Sequence, residues 1–190
     1  MLRLRRRRPN PLHLTETVAI IGAGPLGRRL ALDAARAGFS VLLEDVMPAN
    51  LHHAEEWLRT EFGSEALPGI KLVSTIEDAV READLAIDCV PDELESKLEI
   101  LWLLDRMAPP RTVLATPSLR LSISDLADCT YRPEKCVAVA AEARELSEGA
   151  GLIVLRTTAK TSRESVELVE RFWRGLGFRP VVEFEGSTAI

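Results

Sequence analysis

Gly22, Gly24 and Gly27 are spaced G-x-G-x-x-G, and a carboxylate, Asp45, stands eighteen residues after the last of them. Residues of these types in this order can hold two phosphates and a ribose. Gly22 permits a tight turn out of a strand. Gly24 has no Cβ, so the backbone can come close to a pyrophosphate. Gly27 lets the following helix pack against the sheet. Pro25 and Leu26 open that helix, whose free N–H groups then face the phosphates. Asp45 can accept hydrogen bonds from both hydroxyls of an adenosine ribose, and its charge repels a 2′-phosphate. Neither Val46 nor Met47 offers a cation to receive one. The pattern favours NAD over NADP. Glu44 is the rival acid. Strand alternation turns only one of the two towards the ligand, and the spacing favours Asp45.

The elements that must hold these residues can be read around them. An apolar run, Val18–Ile21, leads into the glycines, and the helical pattern after them stops at Gly38. A second strand, 40–43, ends in Glu44–Asp45. Asn50 is the expected N-cap of a helix whose apolar stripe is Leu51, Ala54, Trp57, Leu58 and Phe62. Further strands are expected at 70–73, 85–89, 112–115, 135–141, 151–156 and 181–184. Helices are expected at 75–82 with Thr75 as cap, 94–107, 123–127 and 162–176. A turn is expected at Thr116–Pro117–Ser118. Strands and helices alternate from end to end. This predicts an α/β, Rossmann-like doubly wound fold with a mainly parallel sheet in a single domain over residues 16–185. A basic disordered arm would precede it at 1–15, and a short tail would follow at 186–190.

Composition sets the outer limits. The chain of 190 residues is 46% apolar and 28% charged, ordinary values for a globular domain. No apolar run approaches the roughly 20 residues of a membrane span. Residues 1–8 hold five arginines and no acid, which leaves 19 basic against 29 acidic residues in the remainder, a net charge of −10. An acidic body argues against nucleic acid as the main partner. Cys89, Cys129 and Cys136 show no C-x-x-C spacing, and this sparse, odd count fits a reducing cytoplasm. No cysteine lies near His13, His52 or His53 in the sequence, so no metal site is expected.

Residues 84–105, DLAIDCVPDELESKLEILWLLD, and 112–139, TVLATPSLRLSISDLADCTYRPEKCVAV, resemble the NAD-binding domain of the 3-hydroxyacyl-CoA dehydrogenases. The likeness covers roughly residues 17–185 and is most specific over 84–139. It implies that Gly22, Gly24, Gly27 and Asp45 belong to an NAD site. It places Cys89 and Val90 where the backbone passes the nicotinamide. Asp92 falls on the second glutamate of the family's "EAVPE" element, and Lys97 on a lysine that reaches the cofactor. Thr116 falls on the first serine of "SNTS", which helps to place substrate and nicotinamide, and is a weak catalytic candidate. Read without the resemblance, Lys97 is an exposed helical lysine and Asp92 a cap of the helix that follows it.

The resemblance breaks at the family's catalytic centre. The family's "LHFFNP" segment reads VAAEAR at 139–144 here. Its histidine, the base that removes the hydroxyl proton, falls at Ala140. Its asparagine falls at Ala143, and the glutamate that orients the histidine falls near Val154. The last strand runs into EGSTAI, where the family continues into an all-helical domain that closes over the acyl chain. Three readings remain open. The chain is an NAD(H)-binding relative without a competent dyad, acting as sensor, subunit or partner-dependent protein. It is an active oxidoreductase on another hydroxyl or carbonyl substrate, with Thr116, Ser118, Glu142 or Lys97 around the nicotinamide. Or it is an interaction module that has kept the fold alone. The expected partners are NAD(H), an acyl-CoA-like ligand, and a protein partner or second copy of the chain.

Overall fold

Strands β1 (Thr17–Ile21) and β2 (Ser40–Glu44) flank helix α1 (Pro25–Ala37). Pro25 at the first helical position has its φ already set for the helix, and Gly38 ends it in a left-handed conformation at φ 97°. The computed structural model describes residues 16–64, 66–140 and 151–185. The chain continues through α2 (Pro48–Phe62), β3 (Ile70–Val73), α3 (Ile76–Val80), β4 (Leu85–Asp88) and α4 (Leu94–Met107). It then forms β5 (Val113–Pro117), α5 (Ile123–Asp128), β6 (Cys136–Ala140), β7 (Gly151–Thr157), α6 (Arg163–Gly175) and β8 (Phe178–Phe184).

The described strands form one sheet in the order β3-β2-β1-β4-β5-β6-β7-β8. All pairs are parallel except β6 with β7. The sheet is buried on both faces by alternation. Val18 and Ile20 join Leu30, Leu58, Phe172 and Trp173 on one side. Ala19 and Ile21 join Ala79, Leu101, Leu104 and Leu126 on the other. The strand order reverses between β1 and β4, which opens a crevice at the carboxyl ends of those strands. The glycine turn lies at that point.

The doubly wound fold follows the expectation, and α4 begins and ends where its pattern does. Three local expectations are corrected. Thr116 and Pro117 form the end of β5 rather than a turn, because they pair with Ala138 and Val139 of β6. Asn50 is not a cap: α2 starts at Pro48 with Met47 as its N-cap. The last strand begins at Phe178 and takes in Pro180, which an edge strand tolerates. The arm, the tail and Ala141, placed at the end of the sixth strand, lie outside the described residues. Ten residues separate β6 from β7, fewer than the dozen or so a parallel crossover requires. At the far end, Glu185 accepts hydrogen bonds from Ser122 Oγ, Ile123 N and Ser124 N, joining the end of β8 to the start of α5.

Candidate cofactor site

The glycine turn is tied to its neighbours on two sides. Gly22 N–H donates to Glu44 O at 2.8 Å, and Cys89 N–H donates to Ile21 O at 2.7 Å. Gly22 has φ +104°, a conformation that side-chain-bearing residues rarely adopt. A Cβ on Gly27 would lie 1.8 Å from Gly22 O, so α1 meets the turn itself as well as the sheet. Gly24 differs from both: a Cβ there would meet no atom within 4 Å. Its free side faces the crevice. No side chain caps α1 and no acid lies in its first turn. Its first-turn amides are thus available to an anion.

Asp45 stands directly beyond β2 and is 8% exposed. Its Oδ2 accepts from Ala23 N at 2.9 Å and its Oδ1 from Met47 N at 2.9 Å. The Asn50 side-chain amide donates to both oxygens, at 3.2 and 3.1 Å. Reading Asn50 as a helix cap missed this role. Its signal is positional, a polar amide in the first turn of the helix that follows the acid. Glu44 points to the opposite side of β2 from Asp45, as alternation predicts. It is buried, and burial together with the neighbouring Asp45 charge pushes its carboxyl up to about 7.

Cys89, Val90, Pro91 and Asp92 form the opposite wall, and Pro117, Leu119 and Arg120 close the end. Together with Gly22, Gly24, Pro25, Leu26, Asp45 and Asn50 they enclose a cleft of about 730 Å³. Arg120 is its one cationic lining residue among those described. Asp92 does not cap α4, whose N-cap is Glu93. The Asp92 carboxylate accepts from Leu119 N at 3.2 Å and so holds two walls of the cleft together. Burial and the neighbouring Asp88 carboxylate push the Cys89 thiol far above its ordinary range, which disfavours the thiolate.

Lys97 and Thr116 lie beneath this cleft rather than on its surface. Lys97 is 1% exposed, which corrects its reading as an exposed helical lysine. Its Nζ donates to Asp88 Oδ1 at 2.5 Å, and Asp88 is fully buried. Burial pushes the Asp88 carboxyl up, against the pull of the Lys97 ammonium. The Thr116 hydroxyl is close enough to favour the ionised form of Asp88 without reaching a well-formed hydrogen bond. The ion pair joins α4 to the end of β4, directly before Cys89 and Val90.

Ala140 and Val154 are direct partners across the antiparallel β6–β7 pair. Side chains at such positions lie on one face of the sheet. The two positions where the resemblance puts the family's base and its orienting acid are therefore neighbours in space. Two residues further along β7, Arg156 Nη2 donates to Ser118 O at 2.5 Å. Glu142 and Ala143 lie outside the described residues. Among the described residues no cluster of His, Cys, Asp or Glu could hold a metal, and no helix is long and apolar enough to cross a membrane.

A mainly parallel sheet with an uncapped helix start and a buried carboxylate across a crevice defines a dinucleotide-binding domain. The family model described as "3-hydroxyacyl-CoA dehydrogenase, NAD binding domain" matches residues 17–185, and the chain belongs to that family. A probable 3-hydroxybutyryl-CoA dehydrogenase of Bacillus subtilis is 30% identical over 133 residues, 63% of this chain and 46% of that protein. The pig mitochondrial hydroxyacyl-coenzyme A dehydrogenase is 27% identical over 186 residues, 88% of this chain and 59% of that protein. A 3-hydroxyacyl-CoA dehydrogenase structure from Archaeoglobus fulgidus superposes with a TM-score of 0.77 at 27% identity, over 89% of this chain and 56% of that one. The chain thus spans about half the length of the curated relatives it matches. Its cofactor is NAD, and the open side of Gly24, the free amides of α1 and the buried carboxylate of Asp45 fit it.

Proposed function

We infer that this chain is an NAD(H)-selective domain that does not carry the hydroxyl-oxidising dyad of its family. The observation behind this reading is the Ala140–Val154 pair. The ladder register puts the two residues side by side, in support of the alignment that assigns them to base and acid, and neither side chain can take a proton. NAD accepts or returns a hydride at its nicotinamide. This chain's residues bind and orient it. Gly22, Gly24, Pro25, Leu26 and Gly27 hold the pyrophosphate. Asp45 holds the adenosine ribose, and Cys89, Val90 and Asp92 line the nicotinamide end. Lys97 and Thr116 act from below: through Asp88 they fix the segment that carries Cys89 and Val90.

Selectivity for NAD over NADP rests on Asp45, whose two oxygens are already turned towards N–H donors. A 2′-phosphate would meet a buried carboxylate. Calorimetric titration should show NAD bound at least tenfold more tightly than NADP. Asp45→Ala should weaken NAD by about 1.5–3 kcal/mol, the scale of hydrogen bonds to a charged group, and narrow the gap. Equal affinities in the unmutated chain would remove Asp45 from the site.

Chemistry is tested separately. With short and medium 3-hydroxyacyl-CoA substrates, NADH formation at 340 nm should stay well below the usual enzyme range of about 1–10³ s⁻¹. Ala140→His alone should not restore it, since residues that act as a unit are non-additive and the histidine would lack its acid. Turnover within that range by the unmutated chain would mean that another residue is the base. An oxidoreductase acting on a different hydroxyl or carbonyl substrate is the second reading, favoured by Arg120, a cation at the cleft end able to receive an anionic group. Membership of a cytoplasmic, fatty-acid-metabolising system rests on the resemblance and the cysteine pattern.

A further inference from the structure

A second cavity of about 450 Å³ adjoins the cleft and shares Gly22, Asp45, Val90 and Pro91 with it. Its walls are mainly apolar, with Val46, Ile76, Ile100 and Leu103, and carry the Ser96 hydroxyl. Glu44 lies in its lining, 3% exposed. The Glu44 carboxyl makes no hydrogen bond or ion pair among the described residues. A carboxyl in apolar surroundings without a donor is costly. Among the described residues the other titratable groups lining the cavity are Asp45 on the adjoining turn and Glu99 on α4, and both are acids. Ile76, the residue that α3 presents, is neutral, and no Lys, Arg or His among the described residues lines the cavity. Ser96 is the one neutral polar side chain of the lining, and a bound ligand can supply Glu44 with the donor it lacks.

Position identifies that ligand. A dinucleotide with its ribose on Asp45 and its phosphates at Gly24 places the base beyond Asp45, away from the phosphates. The apolar cavity opens there. A flat purine suits such walls, and an exocyclic amino group is a donor.

We propose that Glu44 reads the adenine base of the cofactor, accepting a hydrogen bond from its 6-amino group and so rejecting a 6-oxo purine. This rests on the assignment of the cleft to NAD. A 6-oxo purine presents a carbonyl oxygen in place of the amino group, and an ionised carboxylate then faces a second acceptor. Burial and Asp45 hold the carboxyl up to about 7, so Glu44 is mainly an acceptor-only carboxylate at pH 8 and mainly protonated at pH 6. The protonated form can donate to the 6-oxygen. Discrimination is accordingly stronger at the higher pH.

The experiment is calorimetric titration of the chain with NAD and with nicotinamide hypoxanthine dinucleotide at pH 6 and pH 8. At pH 8 the unmutated chain should bind NAD at least tenfold more tightly, and the ratio should fall at pH 6. Glu44→Leu should bring the ratio close to one. Glu44→Gln has a carboxamide that does not titrate, so it should keep a reduced preference that no longer changes with pH. It tests the proposal even if Glu44→Leu fails to fold. A ratio of one in the unmutated chain, or its full ratio and pH dependence retained in Glu44→Gln, would overturn the proposal. Failure of the unmutated chain to bind either nucleotide would instead overturn the NAD assignment, and the base reading with it.

Discussion

Replacing Lys97 with methionine will destabilise the chain by about 3–5 kcal/mol, the usual cost of leaving one partner of a buried ion pair uncompensated. Lys97 and Asp88 are both essentially without solvent contact, and the 2.5 Å bond between them is the only one Lys97 Nζ makes among the described residues. Methionine fills the space of the side chain's stem but leaves the buried Asp88 carboxylate without its countercharge. For a domain of this length the change corresponds to a drop of about 6–20 °C in the thermal midpoint. The double variant Asp88→Leu with Lys97→Met removes both charges and should recover most of the loss, because apolar replacement of a whole buried pair is often neutral. Thermal melts of the three proteins decide the matter. A single variant as stable as the unmutated chain would show that the pair is not buried in solution.

Gly24→Val and Gly27→Ala should fail in opposite ways. At Gly24 the added side chain meets no protein atom, and φ −64° with ψ −174° suits valine. The variant should fold with its midpoint nearly unchanged and lose NAD affinity more than a hundredfold, because the side chain occupies the space of the pyrophosphate. At Gly27 a single methyl group would have to lie 1.8 Å from Gly22 O. Either α1 or the turn must move, and overpacking against backbone costs about 1–3 kcal/mol or more. Melting curves and calorimetry on the same samples separate the two. A Gly24→Val protein that still binds NAD would move the phosphates elsewhere.

The sequence carried these glycines and Asp45 because their roles are local: a turn, a helix start and a strand end within thirty residues. The same holds for α4, whose apolar positions and flanking prolines mark both ends. What it did not carry depends on contacts between distant segments. Lys97 reads as a helical lysine until the fold places α4 over β4 and brings Asp88 to its ammonium. Thr116 and Pro117 read as a turn until β6 supplies a partner strand. Asn50 reads as a cap because amides commonly serve as caps, and only the path of the chain after Asp45 turns its side chain back. The reversal at β7 shows only in the ten-residue spacing between β6 and β7, since strand direction is a property of the connection and not of the strand.

The bonding of Asp45 bears on the thermodynamics of binding. Ala23 and Met47 grip the carboxylate through the backbone, and Asn50 spans both of its oxygens. A ribose does not arrive at a loose, hydrated acid that must be desolvated and ordered. It meets a preorganised group and exchanges with an amide that has kept that group dry. The gain from each hydroxyl is therefore the difference between two good hydrogen bonds, while the entropy of fixing the carboxylate was spent when the chain folded. Affinity at this point is set as much by how readily Asn50 lets go as by how strongly Asp45 holds.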